Sequence, residues 1–529
     1  WAYFTTVRRG LVGGGSSGCV AAGVIAERSS LRVLLLESGP EADENPETLR
    51  SAGYKDAFAN DRVIWERFSE PQRFAGRQRI FLGSGTGMGG SGAVNGMVYT
   101  RGAREDYAEW PEGFRWDDVV PDFEAIEARL RPHTRPPTEF TEAFIRAAEG
   151  AGFRRSKDLN DGNLSGVVGY EWMNYEGEHR RSSYVAFVRE TPRPNLVVRT
   201  GARVHRLVFD ADRRVTAVEY AVGGELRRVG VDREVVMAAG ALETPKLLML
   251  SGIGPAEELR RHGIPIVHAH EAIGRNLHDH PNVPVFFAAD REVDCDYPQL
   301  YSFHRANERS SLPRGQSDTC YVLYPFRSSF AQLAERMVPV KVLPPWLYDS
   351  PARELVRKGV RAAFATDVVQ RWSRRMYGII VILGKPKSRG SLVLRSPDPA
   401  AQAVIDPAYF SHPEDMETVI AGLRKARAIA EGLAAEGNRE LMPGKRSVSD
   451  RALARYAERN AITTYHYAGT VRLGDDEASG CDLSLRLRGV RGVRIADASA
   501  IPVTPVSALN APSMLLGYRA ARSLLAGLV

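Results

Sequence analysis

The apolar positions of this chain change period several times, and each change marks an element. Residues 31–36, "LRVLLL", form a continuous apolar run that ends in Glu37, the pattern of a parallel strand buried on both faces. Just before it, "GLVGGGSSGCVAAGVIAE" reads as a strand end, a tight turn and a helix, so the chain opens on a strand–helix–strand unit. Apolar and polar residues alternate across several turn signals between 195 and 240. That predicts a small antiparallel meander followed by a buried strand, "EVVMAAG". Helical spacing appears at 413–434, at 450–460 and in the last stretch, "SMLLGYRAARSLLAGL", while 493–499 reads as a strand running into a turn. No repeat period and no long Pro/Ser/Gly linker is present, so the chain is expected to cross between interleaved domains several times.

Two stretches fit less easily. The residues ahead of Gly13, "TTVRRGLV", put Arg8, Arg9 and Gly10 where a central strand normally carries apolar side chains, so a short strand with an exposed start is expected. In 327–376, arginines and apolar residues recur at helical spacing. Core packing with an arginine-rich outer face is the expectation, with a lid over an apolar substrate or a membrane-touching helix as alternatives.

Composition narrows the class. The 529 residues are 43% apolar and 26% charged, enough for a large core and against global disorder. The net charge, 71 − 64 = +7, is spread among acids and lacks the aromatic-laced basic stripe of a nucleic-acid binder. Four cysteines (19, 295, 320, 481) form no C-x-x-C pair and read as reduced thiols. No apolar run has bilayer length, so membrane contact is not expected. The glycine-rich turn at residue 13 leaves no room for a secretory leader, which points to the cytoplasm, although the chain opens on Trp1 and not on Met.

Gly13, Gly15 and Gly18 make a G-x-G-x-x-G turn between a strand and a helix, and Glu37 follows 19 residues after Gly18 at the end of the next strand. That context marks a dinucleotide site. The first glycine allows the turn, the second lets a pyrophosphate approach, and the third lets helix and strand pack. Ser16 and Ser17 open the helix, whose free N–H groups favour phosphate, and Glu37 can accept from ribose hydroxyls.

At "GMGGSGAVNGMVYTRGAREDYAEW" (87–110) the sequence resembles the glucose–methanol–choline (GMC) oxidoreductases, FAD enzymes that mostly oxidise alcohols. "GALETPKLLMLSGIGP" (240–255), "GRNLHDHP" (274–281), the stretch 385–430 and "GVRGVRIADASAIP" (489–502) follow in family order, and only about 290–375 has no counterpart. The resemblance implies an α/β (α+β) fold: a Rossmann-like FAD-binding domain (1–105 with 195–285 and 462–529) with an interleaved substrate-binding domain (106–194 with 286–461) built on an antiparallel sheet. It places the Gly89–Gly90 turn and Asn95, Gly96, Met97 and Val98 along the flavin. Val204 falls at the adenine, with Ala239 among the cofactor contacts, and Asp497 and Ala498 near the ribityl–pyrophosphate. Where some members carry a histidine that bonds FAD covalently, this chain has Val94, so dissociable FAD is expected; Thr86 stands where a basic residue is common. The "HDH" at 278–280 has strand-like spacing for a metal, but no Cys or Glu cluster accompanies it, and the resemblance makes it a structural turn.

His466, in "ITTYHYAGTVRLG", falls on the family's active-site histidine, suited to take the hydroxyl proton while FAD takes the hydride. The family usually adds an Asn or His some forty residues on. Aligned without gaps through "NAPSM" and Arg519, that slot holds Ala508. A two-residue shift would bring in Asn510, but it breaks the match at Pro512, Met514 and Arg519. If the slot is empty, His466 acts alone on an activated alcohol, or Ser507, Tyr465 or the substrate fills the gap, or the chemistry is different. Tyr518 stands where the family often has Glu. Three readings follow: alcohol oxidase or dehydrogenase, with O₂ or another electron acceptor; a non-oxidative lyase keeping FAD as structure; and a flavin binder without catalysis. Oligomeric state and substrate identity are not written in the sequence.

Overall fold

The computed structural model describes residues 6–527. The first strand, β1 (Thr6–Val12), is central and not truncated. It lies between β2 (Val33–Leu36) and a later strand, parallel to both, and its register shifts between Val7 and Arg9. The irregularity falls in the polar stretch, while Gly10–Val12 pair regularly, so Arg9 is buried without interrupting the ladder that carries the glycine turn. Outside β2 lies β3 (Leu196–Arg199). β4 (Ala202–Phe209) and β5 (Val215–Val222) form the meander expected from the alternation, but its third strand does not stop at a turn. β6 (Glu225–Met237) is one 13-residue strand. Its first half pairs antiparallel with β5, and its second half runs parallel to β1 and to Val493–Ile495. This single strand welds the meander to the nucleotide sheet, seven strands in all. α1 (Ser16–Arg28) follows the glycine turn and packs on the C-terminal helix.

A second, eight-stranded sheet lies beside the first. Its centre is β7 (Pro281–Ala288), β8 (Leu300–His304), β9 (Thr319–Pro325) and β10 (Met376–Leu383), antiparallel in the order β7-β10-β9-β8. Ile462–Thr463 pairs with the start of β7, so this sheet takes strands from 281–288 and 462–463 as well as from the middle of the chain. Alternation sorts its side chains. Val283, Val285, Tyr321, Leu323, Ile379 and Val381 are buried in the core, and their neighbours face a cavity between the two sheets.

The segment 326–373 forms a helical cap from α2 (Phe326–Val342), α3 (Pro351–Phe364) and two short helices. The expected core packing with outward arginines holds in part: Phe326 and Phe330 pack inward and Arg361, Arg371, Arg374 and Arg375 are exposed, but one face is inverted. Arg336 and Arg357 are buried, whereas Trp346 (77% exposed), Leu355 (72%) and Val368 (68%) face outward. The cause lies across the contact. Segment 58–66 presents Asp61, Glu66 and the carbonyls of Phe58 and Ala59 to the cap. Arg336 and Arg353 each pair with both acids, Arg357 pairs with Asp61, and the carbonyls accept from Arg336 and Arg357. A buried guanidinium is tolerated only when its donors are satisfied in this way. Among the described residues no helix is long and apolar enough to cross a membrane. Replacing Arg336 with Ala should speed amide hydrogen exchange in 58–66 and 326–364 while leaving β1, β2 and β6 as protected as in the wild type. Unchanged exchange in the cap would show that the cluster does not hold it.

Candidate active site

The cavity between the sheets measures about 550 Å³. At one end its wall is the glycine turn: Gly13, Gly15, Ser16 and Ser17 line it, and Gly90, Asn95, Gly96 and Val98 face them. Glu37, Val204, Ala239, Asp497 and Ala498 complete this end, with Val94 and Thr86 on the wall. Two expected cofactor contacts are not on the wall. Met97 has a positive φ of 67° and is fully buried in a satellite cluster with Tyr54, Met173 and Tyr175, so its side chain turns away. Gly18 sits one turn down α1, where it does the packing job expected of the third glycine: a Cβ there would come within 1.9 Å of the Gly13 carbonyl oxygen.

The acids at this end are already engaged. Glu37 accepts from the Gly14 N–H at 2.8 Å through Oε2, and from the N–H groups of Gly39 and Gly87 at 2.8 and 3.0 Å through Oε1. It therefore ties the glycine turn to the 84–90 loop before any ribose arrives. Asp497 accepts from Gly240 N–H, Ser499 N–H and the Thr244 hydroxyl, and burial raises its pKa. Its carboxylate is a brace, which leaves the backbone of 497–498 to meet a ligand. Arg180, which sequence reasoning missed, is fully enclosed and donates to the Gly92 carbonyl and to both oxygens of Asn95, fixing the facing loop. Nothing local in "EHRRSS" signals that long-range role. Gly15 supplies the test of fit for a dinucleotide. A Cβ on it would meet no protein atom closer than Gly90 Cα at 4.0 Å, so it would project into the cavity, and only a ligand needs that space. Small backbone, free helix N–H groups and two braced acids suit FAD.

His466, Tyr465 and Ala508 line the far end of the cavity. His466 is positioned by its backbone: its N–H donates to Asp279 Oδ1 at 2.8 Å, and Tyr465 before it takes a left-handed φ of 64°, an uncommon conformation for an aromatic residue. Asp279 also accepts from the Thr463 and Tyr409 hydroxyls. The His466 ring has one protein hydrogen bond, Nδ1 to Nδ1 of His280 at 2.9 Å, and burial lowers its pKa to about 3. Tyr465 packs edge-on to Phe58 and Phe81. Ser507 Oγ is enclosed and has no partner. Asn510, the first residue of the C-terminal helix, also lines the cavity, but its Oδ1 accepts from Ser16 Oγ at 2.8 Å and so is tied to the glycine turn. Tyr518 lies off the cavity, its hydroxyl accepting from Arg28.

The rest of this end comes from residues the sequence did not single out: Phe58, Phe286, Tyr301, Cys320, Val322 and Ile380, with Leu333 from the cap. All but Phe58 fall within 286–380, where the family resemblance is weakest, so their signal was only strand alternation. The four cysteines are free and buried. Among the described residues no three His, Cys, Asp or Glu side chains gather into a metal-binding group.

A parallel sheet with its glycine turn, facing a chamber lined by His280 and His466, defines a nucleotide-dependent oxidoreductase architecture. The GMC oxidoreductase models match residues 9–282 and 386–517, and the chain belongs to that family; its cofactor is FAD. It is 32% identical to an alcohol dehydrogenase [acceptor] of Pseudomonas putida, over 97% of this chain and 94% of that protein. It is 31% identical to a choline oxidase of Arthrobacter globiformis, over 97% and 93%. Pyridoxine 4-oxidase from Mesorbium loti superposes with a TM-score of 0.83 at 26% identity, covering 98% of this chain and 99% of that one.

Gly15→Ala should fold with wild-type thermal stability yet purify with little FAD, because its methyl group occupies only ligand space. Gly18→Ala should be destabilised whether or not FAD is supplied. Full flavin content in Gly15→Ala would contradict this placement of the cofactor.

Proposed function

We propose that the chain oxidises a neutral, largely apolar alcohol to its aldehyde or ketone, with His466 as the general base. The observation that carries this reading is the composition of the chamber around His466. Its walls are mainly aromatic and aliphatic, with Asn282, Thr464 and Ser329 as polar points, and the carboxylates on the cavity, Glu37, Glu243 and Asp497, are all bonded to groups at the cofactor end. The Asp279 carboxylate next to His466 lies off the cavity wall and is spent on the His466 N–H and the Thr463 and Tyr409 hydroxyls, so a cationic alcohol would find no free counter-charge there, whereas an alkyl or aryl alcohol would bury its apolar body.

Bound FAD supplies the acceptor for the hydride that leaves the carbinol carbon. Gly90, Asn95, Gly96 and Val98 would hold the isoalloxazine side, and the Val94 side chain offers no atom for a covalent bond, which supports dissociable FAD. His466 receives the hydroxyl proton at the ring nitrogen directed to the cavity. The hydrogen bond from Ser16 to Asn510 supports the gapless alignment: Asn510 serves the cofactor side, and the partner slot holds Ala508, which can donate nothing. A missing donor of this kind costs about 2.7–4 kcal/mol of transition-state stabilisation where it has been measured. That favours substrates whose carbinol is already activated, such as benzylic alcohols.

Anaerobic mixing with an alcohol panel should bleach the flavin with aryl or alkyl carbinols well before choline, and His466→Ala should abolish bleaching while retaining FAD. Turnover without bleaching would point to a lyase, and the rate of recolouring on admission of air separates an oxidase from a dehydrogenase. Because His466 stays unprotonated down to about 3, kcat/KM should hold level from about pH 8 to pH 5; a fall centred near 6.5, the ordinary histidine value, would argue for a different base. Ala508→Asn should raise kcat/KM for unactivated alkanols by 10-fold or more, by order of magnitude from the cost above. A large kcat loss in Asn510→Ala with FAD retained would instead make Asn510 the partner.

A further inference from the structure

His280 and His466 meet at 2.9 Å through their Nδ1 atoms, with the rings 88° apart. Two ring nitrogens this close must share one proton, since two lone pairs repel and two N–H groups clash. The tautomers of the two rings are therefore linked: whichever ring is protonated at Nδ1 donates, and the other accepts. His280 Nε2 is enclosed and has no hydrogen-bond partner, so the contact with His466 is the one the His280 ring makes. A base that faces the cavity through Nε2 carries its own proton on Nδ1, and that leaves the acceptor role to His280.

We propose that His280 is a positioning residue for the proton transfer: it accepts the Nδ1–H of His466, which leaves the His466 Nε2 lone pair facing the cavity and the substrate hydroxyl. This rests on His466 being the base. In the step, the substrate O–H bond breaks and its proton bonds to His466 Nε2. His466 then carries one positive charge, and its second N–H is already bonded to His280.

No other group on the pair can take that N–H. The Asp279 oxygens are committed to the His466 backbone and the Thr463 and Tyr409 hydroxyls. Lys385 is an ammonium ion-paired with Asp106 and Glu109 and can accept nothing; with His278 it disfavours positive charge on His280, and Tyr465 is held as a neutral phenol by burial. Without His280, both His466 tautomers would be open, and one of them turns an N–H to the substrate in place of a lone pair. The alternation along β7 explains how the sequence achieves this. His280 and Asn282 share the cavity face, while Asp279, just before them, points to the 463–466 segment that carries His466.

The test is ¹⁵N spectroscopy of ring-labelled holoenzyme, together with kinetics of His280→Leu and His280→Asn, using flavin content as the check on folding. The wild type should show His466 protonated at Nδ1. His280→Leu should show mixed His466 tautomers and a kcat about 10- to 100-fold lower with little change in KM, by analogy with the loss of other orienting partners. His280→Asn, whose side-chain oxygen can accept, should recover most of both. A wild-type His466 protonated at Nε2, or Leu and Asn variants equally impaired with an unchanged tautomer, would overturn the proposal. If no alcohol is turned over at all, the alcohol-oxidation reading falls, and the spectra still judge the His280 pairing by themselves.

Discussion

The buried carboxylate of Asp279 is the constraint on which the site depends. It lies between two segments 184 residues apart and takes the Thr463 hydroxyl and the His466 backbone N–H from one of them. Burial raises its pKa, and each of these hydrogen bonds lowers it again. Both oxygens are fully bonded, and the bonding fixes the 463–466 turn against β7. The left-handed Tyr465 is a local strain the turn accepts in return. Because His280 is the next residue after Asp279, the same anchor sets the distance between the two imidazoles. An amide could replace the acceptor on one side only, since its nitrogen would face a donor.

Enclosure has a chemical consequence that runs against the usual picture of a histidine poised near neutrality. An imidazole held down to about 3 is a weak base toward a resting alcohol. It becomes adequate only as the hydride leaves and the oxygen's proton becomes acidic on the way to a carbonyl. If His466 is the base, as proposed, the chamber would favour transfer of proton and hydride close together and penalise a free alkoxide, which the Ala508 side chain could not stabilise. The same apolar walls that suppress the ground-state charge also strengthen any hydrogen bond made there, so one well-placed nitrogen acceptor carries more weight than it would in water.

What could be read from the sequence follows from how far each signal reaches. The glycine turn, Glu37 and the apolar strands were legible because their physics is local: a backbone turn, a helix start, a run of side chains with one period. His466 stood out through its flanking motif, and the fold brings it to the cavity wall. The roles of Glu37 and Asp497 as braces were not legible, because their donors at Gly87 and Gly240 come from loops far along the chain. Period-two spacing set His278 and His280 on one side of a strand but could not say what that side would face, so His280 read as part of a structural turn. Helical spacing in 351–364 likewise revealed two faces without revealing which one turns inward. Asp61 and Glu66, some 290 residues earlier, decided it.

The division of labour between the two sheets explains why the middle of the chain diverges while the ends keep their motifs. The nucleotide sheet, the Asp279 anchor and the 462–474 stretch set the reacting geometry, and each depends on backbone hydrogen bonds that tolerate few substitutions. The opposite wall of the chamber is one face of a sheet whose strands are held by their ladders and by the helix behind them. Its cavity-facing positions, such as Phe286, Tyr301, Val322 and Ile380, can change size with no loss of register. Leu333 adds a contribution from the cap, which is fastened at its arginine cluster and packs Phe326 and Phe330 against Phe286. The shape of this wall can therefore change through 286–380 while the imidazole pair stays fixed, and in this chain it makes a largely apolar room beside an enclosed histidine.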